Sequence, residues 1–114
     1  MGSNPVSTAI NKINFMSVDV KIEWCEILSV DNILKNPKKE LSEENPVKAY
    51  KLTIQVPGEE KTRTVVTAIV DLFKPEDLLG KTTTFEIGLP PKEVRGFLSE
   101  GMIFLSVENK LNLK

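Results

Sequence analysis

From residue 18 the chain alternates apolar and polar positions. Val18, Val20, Ile22 and Trp24 share one face and Asp19, Lys21 and Glu23 the other, which predicts a strand with the even positions inward. Ile27 moves the apolar phase to odd positions before Leu28 and Val30 restore it, the mark of a bulge inside one long strand. Residues 31–47 (DNILKNPKKELSEENPV) have no apolar period and hold Pro37 and Pro46 among dense charge, so they read as a long, exposed, inserted loop. Its Lys35, Lys38 and Lys39 are followed at once by Glu40, Glu43 and Glu44, a mixed-sign run of the kind that faces water. Residues 48–56 alternate again, with Tyr50, Leu52, Ile54 and Val56 inward and Lys51, Thr53 and Gln55 outward. The turn signal PGEE follows, then a third strand over 62–69, which predicts an antiparallel hairpin.

Residues 74–80 (KPEDLLG) read as a short helix. Proline is tolerated in the first turn, Glu76 and Asp77 suit the positive end of the dipole, and Gly80 suits the stop. A fourth strand over 82–89 sends Thr83, Phe85, Ile87 and Leu89 to one side. Residues 89–105 (LPPKEVRGFLSEGMIFL) then form a loop stiffened by Pro90-Pro91, loosened at Gly101 and presenting Lys92, Arg95, Ser99 and Glu100. It is either a binding lip or a plain connector. A fifth strand over 102–107, a turn at 108–110 and a brief sixth strand at Leu111 and Leu113 complete the pattern. Five short strands with one helix between the third and fourth make an all-β chain with the layout of a five-stranded OB-fold barrel, and another small β-barrel also fits.

The chain has 114 residues, which fits one domain able to bury a core without staples. We divide it into an extension at 1–15, a candidate dimer arm, and a domain at 16–114. Fifteen basic residues against sixteen acidic ones give a net charge of −1, so nucleic-acid binding requires the positive charge to be gathered on one face. Histidine is absent, which removes the Ser-His-Asp and Cys-His nucleophile pairs, an imidazole proton shuttle and His/Cys zinc sites. The acidic residues lack calcium-loop spacing, and the single Cys25 sits among apolar strand residues as a packing group. No catalytic residues, metal or cofactor are expected. No apolar run reaches the length of a membrane span, the N-terminus lacks a signal-peptide core, and Val6 stands where a myristoylation motif needs Ser or Thr. One cysteine suits a reducing compartment, so the expected location is the cytoplasm.

Over residues 15–107 the chain resembles the tRNA-binding domain family. FMSVDVKI at 15–22 is similar to the family's first strand, and NPVKAYKLTI at 45–54 to its second. RTVVTAI at 63–69 and PEDLLGKT at 75–82 match in order. The loop carries the most specific match. Pro90 to Lys92 with Phe97 and Ser99-Glu100 resemble the export-related chaperones of the CsaA type, whereas VRG and SEGM resemble tRNA-binding members. The chain departs from the pattern at Lys21, where Arg is usual, at Glu23, where Gly is usual, and at Gly88, where Asn is usual. Lysine lacks the planar fork that holds phosphate in two places, and the Asn amide's directional donor is lost.

The resemblance implies an OB-fold module without catalysis. Nucleic acid then crosses the face of the second and third strands, where Lys51 and Arg63 have the outward phase, beside Lys92 and Arg95 on the lip. Ser99 is placed to donate to phosphate or ribose, and Met102 to offer a polarizable contact to a base. With aromatic residues at 6%, few rings remain for stacking, so phosphate and shape contacts dominate. The implied partner is tRNA. The alternative is a chaperone for unfolded or preprotein segments, and a third reading is a subunit working with an aminoacyl-tRNA synthetase. The family also implies a homodimer, with Ile10, Ile13, Phe15, Leu111 and Leu113 as interface candidates.

Overall fold

The computed structural model describes residues 20–113. Ile10, Ile13 and Phe15 lie outside that range. The strands are β1 (Ile22–Leu34), β2 (Val47–Gln55), β3 (Arg63–Thr67), β4 (Thr82–Glu86), β5 (Lys92–Val94), β6 (Phe97–Ser99) and β7 (Met102–Ile103). Five of them form one antiparallel sheet in the order β3-β2-β1-β4-β7, and β5 and β6 make a separate hairpin. Among the described residues one short helix, α1 (Pro75–Leu78), sits between β3 and β4.

β1 is thirteen residues long and serves two partners, β4 along its first part and β2 along its second. The register between β1 and β2 slips between Ile27 and Ser29, so the bulge read from the sequence is present at Leu28. It reverses which side faces in. Cys25 and Ile27 are fully buried ahead of it, and past it Val30 opposes the buried Leu52 while Ile33 turns to the outer side beside Ala49. The expected inward face of Val20, Ile22 and Trp24 is therefore the outer one: Val20 and Ile22 are exposed and Trp24 is half-buried. An apolar stripe on both sides of a strand hides its phase. The strand also runs on to Leu34, so residues 31–34 of the expected inserted loop belong to a ladder, as does Val47 at the start of β2, and the loop itself is 35–46. Asn45 organises it. Its buried amide donates to the carbonyls of Asn36, Lys39 and Glu40 and accepts from the Asn36 N–H at 2.6 Å.

The alternation in β2 translates directly: Tyr50, Leu52, Ile54 and Val56 are all buried. They meet Cys25, Ile27, Val65, Phe85 and Ile87 in the main core, each large side chain contributing roughly 1.5–3 kcal/mol of burial. The Tyr50 hydroxyl reaches the Phe73 carbonyl at 2.7 Å. α1 is shorter than the predicted 74–80. Pro75 starts it, and the Asp77 carboxylate accepts the Lys74 N–H at 2.9 Å. Extended Leu79 ends it and Leu78 plugs the core. Gly80 donates to the Ile27 carbonyl and the Ile27 N–H donates to Lys81, so the link after the helix is tied to the bulge.

The expected closed barrel is joined differently. Its edges, β3 and the corner between β6 and β7, are bridged by the Glu100 N–H on the Thr64 carbonyl (2.7 Å), the Thr64 N–H on the Glu100 carboxylate (3.0 Å) and the Val66 N–H on Ser99 Oγ (3.0 Å). The side chains of Glu100, Ser99 and Arg63 and one backbone bond hold this seam, and among the described residues no continuous ladder runs along it. Gly101 fits there through close approach, since a Cβ would stand 3.1 Å from the Glu86 carbonyl. The fifth strand of the sheet is two residues rather than the predicted 102–107, because the chain turns at Ser106, whose N–H meets the Lys110 carbonyl. Leu111 and Leu113 form no strand; Asn112 instead ties that segment to Thr84 Oγ1 and the Phe104 carbonyl.

Candidate nucleic-acid interface

The segment between β4 and β7 is a folded hairpin rather than an open loop. Val94-Arg95-Gly96-Phe97 makes its turn, with φ of 51° at Arg95 and 85° at Gly96, the double left-handed geometry of a two-residue hairpin. The hairpin lies on the outer side of the sheet. Val94 and Phe97 pack over Ile33, Ala49 and Val66, a small second core outside the first. The segment leading into the hairpin is fixed by the half-encircled Glu86, whose carboxylate accepts the N–H groups of Lys21 (2.7 Å), Gly88 (2.8 Å) and Leu89 (3.1 Å).

These contacts bring two of the expected basic residues into one row. Lys51 on β2 pairs with Val66 on β3, the Val66 N–H bonds Ser99 on β6, and Ser99 pairs with Lys92 on β5. Lys51 Nζ stands 5.0 Å from the centre of the Phe97 ring, which holds the ammonium near the turn end of the hairpin. Lys92 is exposed, and Arg95 is exposed at the tip, about 10 Å farther along the hairpin. Met102 is 54% exposed beside this row.

Arg63 stands apart. It opens β3, three residues from Val66, and four of its five N–H groups are engaged. Nε and Nη2 hold the Glu59 carboxylate at 2.9 and 2.7 Å, and Nη1 donates to the carbonyls of Ile87 (2.9 Å) and Glu100 (3.0 Å). The Arg63 hydrogen bonds hold the Glu59 carboxyl below its ordinary value, and Glu59 in turn raises Arg63. Its guanidinium thus latches β3 to the two ends of the hairpin segment. Ser99 plays a similar part. Buried, it accepts from Val66 and sends its only proton to the Gly101 carbonyl at 3.0 Å. That proton is not offered to a ligand. Phe97, Glu86 and Glu59 gain these roles through contacts that the sequence does not display; the one local signal is the Arg-Gly pair flanked by apolar residues.

Two clefts adjoin the hairpin and share Leu89. The larger, about 640 Å³, carries Glu59, Glu60 and Glu100 with Lys61 and the latched Arg63. The smaller, about 250 Å³, is walled by Val66, Leu89, Pro90, Val94 and Met102, and among the described residues Lys92 is its one charged lining group. Cys25 belongs to neither. Burial, with Glu23 adding, pushes its thiol up to about 11, so it is protonated at neutral pH. Among the described residues no group of three or more Asp, Glu or Cys side chains is arranged to hold a metal, and no helix is long and apolar enough to cross a membrane.

The family model described as "Putative tRNA binding domain" matches residues 39–113. Similar curated proteins are methionine–tRNA ligases. That of Bacteroides fragilis is 31% identical over 107 residues and that of Parabacteroides distasonis 35% over the same length. The chain spans only 14% of either ligase, though 94% of itself is matched. Among solved structures, a MetRS-related protein from Pyrococcus horikoshii superposes with a TM-score of 0.62 at 24% identity, over 100% of this chain and 88% of that one. The CsaA chaperone protein of Picrophilus torridus gives 0.62 at 22%, over 90% and 86%. The C-terminal domain of Plasmodium vivax p43 gives 0.61 at 27%, over 75% and 46%.

Proposed function

The chain belongs to the tRNA-binding domain family, and on that premise we propose that it is a non-catalytic module that grips the tRNA backbone with the outer face of β2, β3 and the β5–β6 hairpin. The family implies the OB-fold, whose second and third strands and flanking loops take nucleic acid. The observation that carries the reading is the row of Lys51 and Lys92 across four strands, with Arg95 beyond it. With a net charge of −1 the reading depends on Lys51, Lys92 and Arg95 acting together, although Asp31 on β1 stands opposite Lys51; in the neighbouring cleft Arg63 holds Glu59 and the Thr64 N–H holds Glu100. Lys51, Lys92 and Arg95 meet phosphates, Met102 lies against a base, and Arg63 and Ser99 hold the lip in place. We also propose a cytoplasmic homodimer, with Leu111 and the 66%-exposed Leu113 joining the segment that holds Ile10, Ile13 and Phe15. Delivery of tRNA to a synthetase belongs to the same reading.

Binding at about micromolar strength or weaker at physiological salt is expected, falling steeply as salt rises. A mobility shift of labelled tRNA at low salt tests it; no shift there removes the reading. The exposed Leu89, Leu98 and Met102 around the hairpin favour a second reading, a chaperone for unfolded protein segments. Binding to apolar peptides that persists at high salt and is not displaced by tRNA selects that one.

A further inference from the structure

The two clefts beside the hairpin differ in charge. In the larger one three carboxylates face two cations, and one of those cations is already bound to Glu59. A polyanion is repelled there. In the smaller one Lys92 is the single charged lining group among the described residues, in the row that also holds Lys51. We propose that the smaller cleft seats one unstacked nucleobase, with Lys92 at its mouth on the adjoining phosphate. This rests on the tRNA-binding reading and deepens it, giving the base that lies against Met102 a defined seat.

The walls suit a flat, partly apolar ring. Leu89, Pro90, Val94 and Val66 supply aliphatic contact, and Met102 supplies a polarizable thioether on an exposed side. At about 250 Å³ the cleft falls below the roughly 300–1,000 Å³ of sites for larger ligands, which fits one ring system and not two stacked bases. The floor does not donate to a base edge. Ser99 Oγ gives its proton to Gly101, and the Val66 N–H is taken by Ser99. The subsite therefore recognises that a base is present without reading which one. A phosphodiester chain carries a negative charge beside every base, so Lys92 and the apolar walls are satisfied together. An apolar peptide side chain meets only the walls.

The test compares two single-stranded oligomers of equal length, one of uridine nucleotides and one abasic, by fluorescence anisotropy at fixed salt. The uridine oligomer is expected to bind about tenfold tighter. Met102→Ser and Leu89→Ser, both lining the cleft and both partly exposed, should bring it to the abasic level without altering the salt slope. Lys92→Ala should weaken both oligomers and lower the slope by about one. Equal affinity for the two wild-type complexes overturns the base subsite while leaving phosphate binding intact. Failure of tRNA and both oligomers to bind removes the tRNA-binding reading and the subsite with it. Displacement of the uridine oligomer by an uncharged apolar peptide, blocked by Met102→Ser, assigns the cleft to peptide and also overturns the proposal.

Discussion

Arg63 shows how a basic residue on the core side of a strand acquires a structural role. It pairs with the buried Ile54 and shares its phase with the buried Val65, so the expected outward phase is reversed, and two carboxylate oxygens and two carbonyls take its donors. None of those partners is near it in sequence except Glu59, so local pattern does not reveal the latch. The pair gives a pH prediction. Glu59 has a folded pKa lowered from the ordinary 4.5, so its contribution to stability is complete above that value and is lost as pH falls through the lowered one. Both side chains are partly exposed, at 24% and 32%, so solvent screening keeps the effect modest. In acid-unfolding curves the wild type should lose stability below about pH 4.5 that Glu59→Gln does not lose; parallel curves would contradict the latch. Thr83 offers the opposite case. Its hydroxyl is buried in the core with no hydrogen-bond partner among the described residues. Thr83→Val should leave the melting temperature unchanged or raise it, by up to about 1 kcal/mol of stability, and a clear drop would mean that the hydroxyl has a partner after all.

At the scale of elements, the segments buried on one face are legible in the sequence and the segment that defines the site is not. β2 shows strict alternation because one face meets the core and the other meets a thin outer layer. The bulge in β1 is legible too, as a break in period, but its sense is inverted because Val20, Ile22 and Trp24 form an apolar stripe on the outer side. Where the β5–β6 hairpin stands, the pattern predicts an open loop. The hairpin's strands are three residues each, too short for alternation to register, and its turn places Arg95 in left-handed backbone that a non-glycine residue adopts only at a cost. What holds it is the contact of Val94 and Phe97 with Ile33, Ala49 and Val66, residues distant in sequence. Gly96→Val places a branched side chain at φ of 85° and should open the turn. The expected result is faster amide exchange over 92–99 and tRNA affinity lowered severalfold, with the melting temperature of the main core nearly unchanged. Exchange no faster than in wild type would show that the turn is not what maintains the hairpin.

For the whole molecule, the seam between β3 and the β6–β7 corner connects fold to function. The bonds that draw the sheet edges together, from Thr64 to Glu100 and from Val66 to Ser99, are the same ones that bring Lys92 into line with Lys51. Closure of the sheet edges and the alignment of Lys92 with Lys51 rest on the same bonds, in a chain whose net charge is −1. The family match from residue 39 to 113 includes β2, β3, the hairpin and that seam. The most direct test of the central claim is the dependence of tRNA affinity on salt, measured for the wild type and for Lys51→Ala with Lys92→Ala combined. The account predicts a straight decline of log affinity with log salt in the wild type, and a slope shallower by about two in the double variant. A slope that both proteins share, or affinity indifferent to salt, would contradict it.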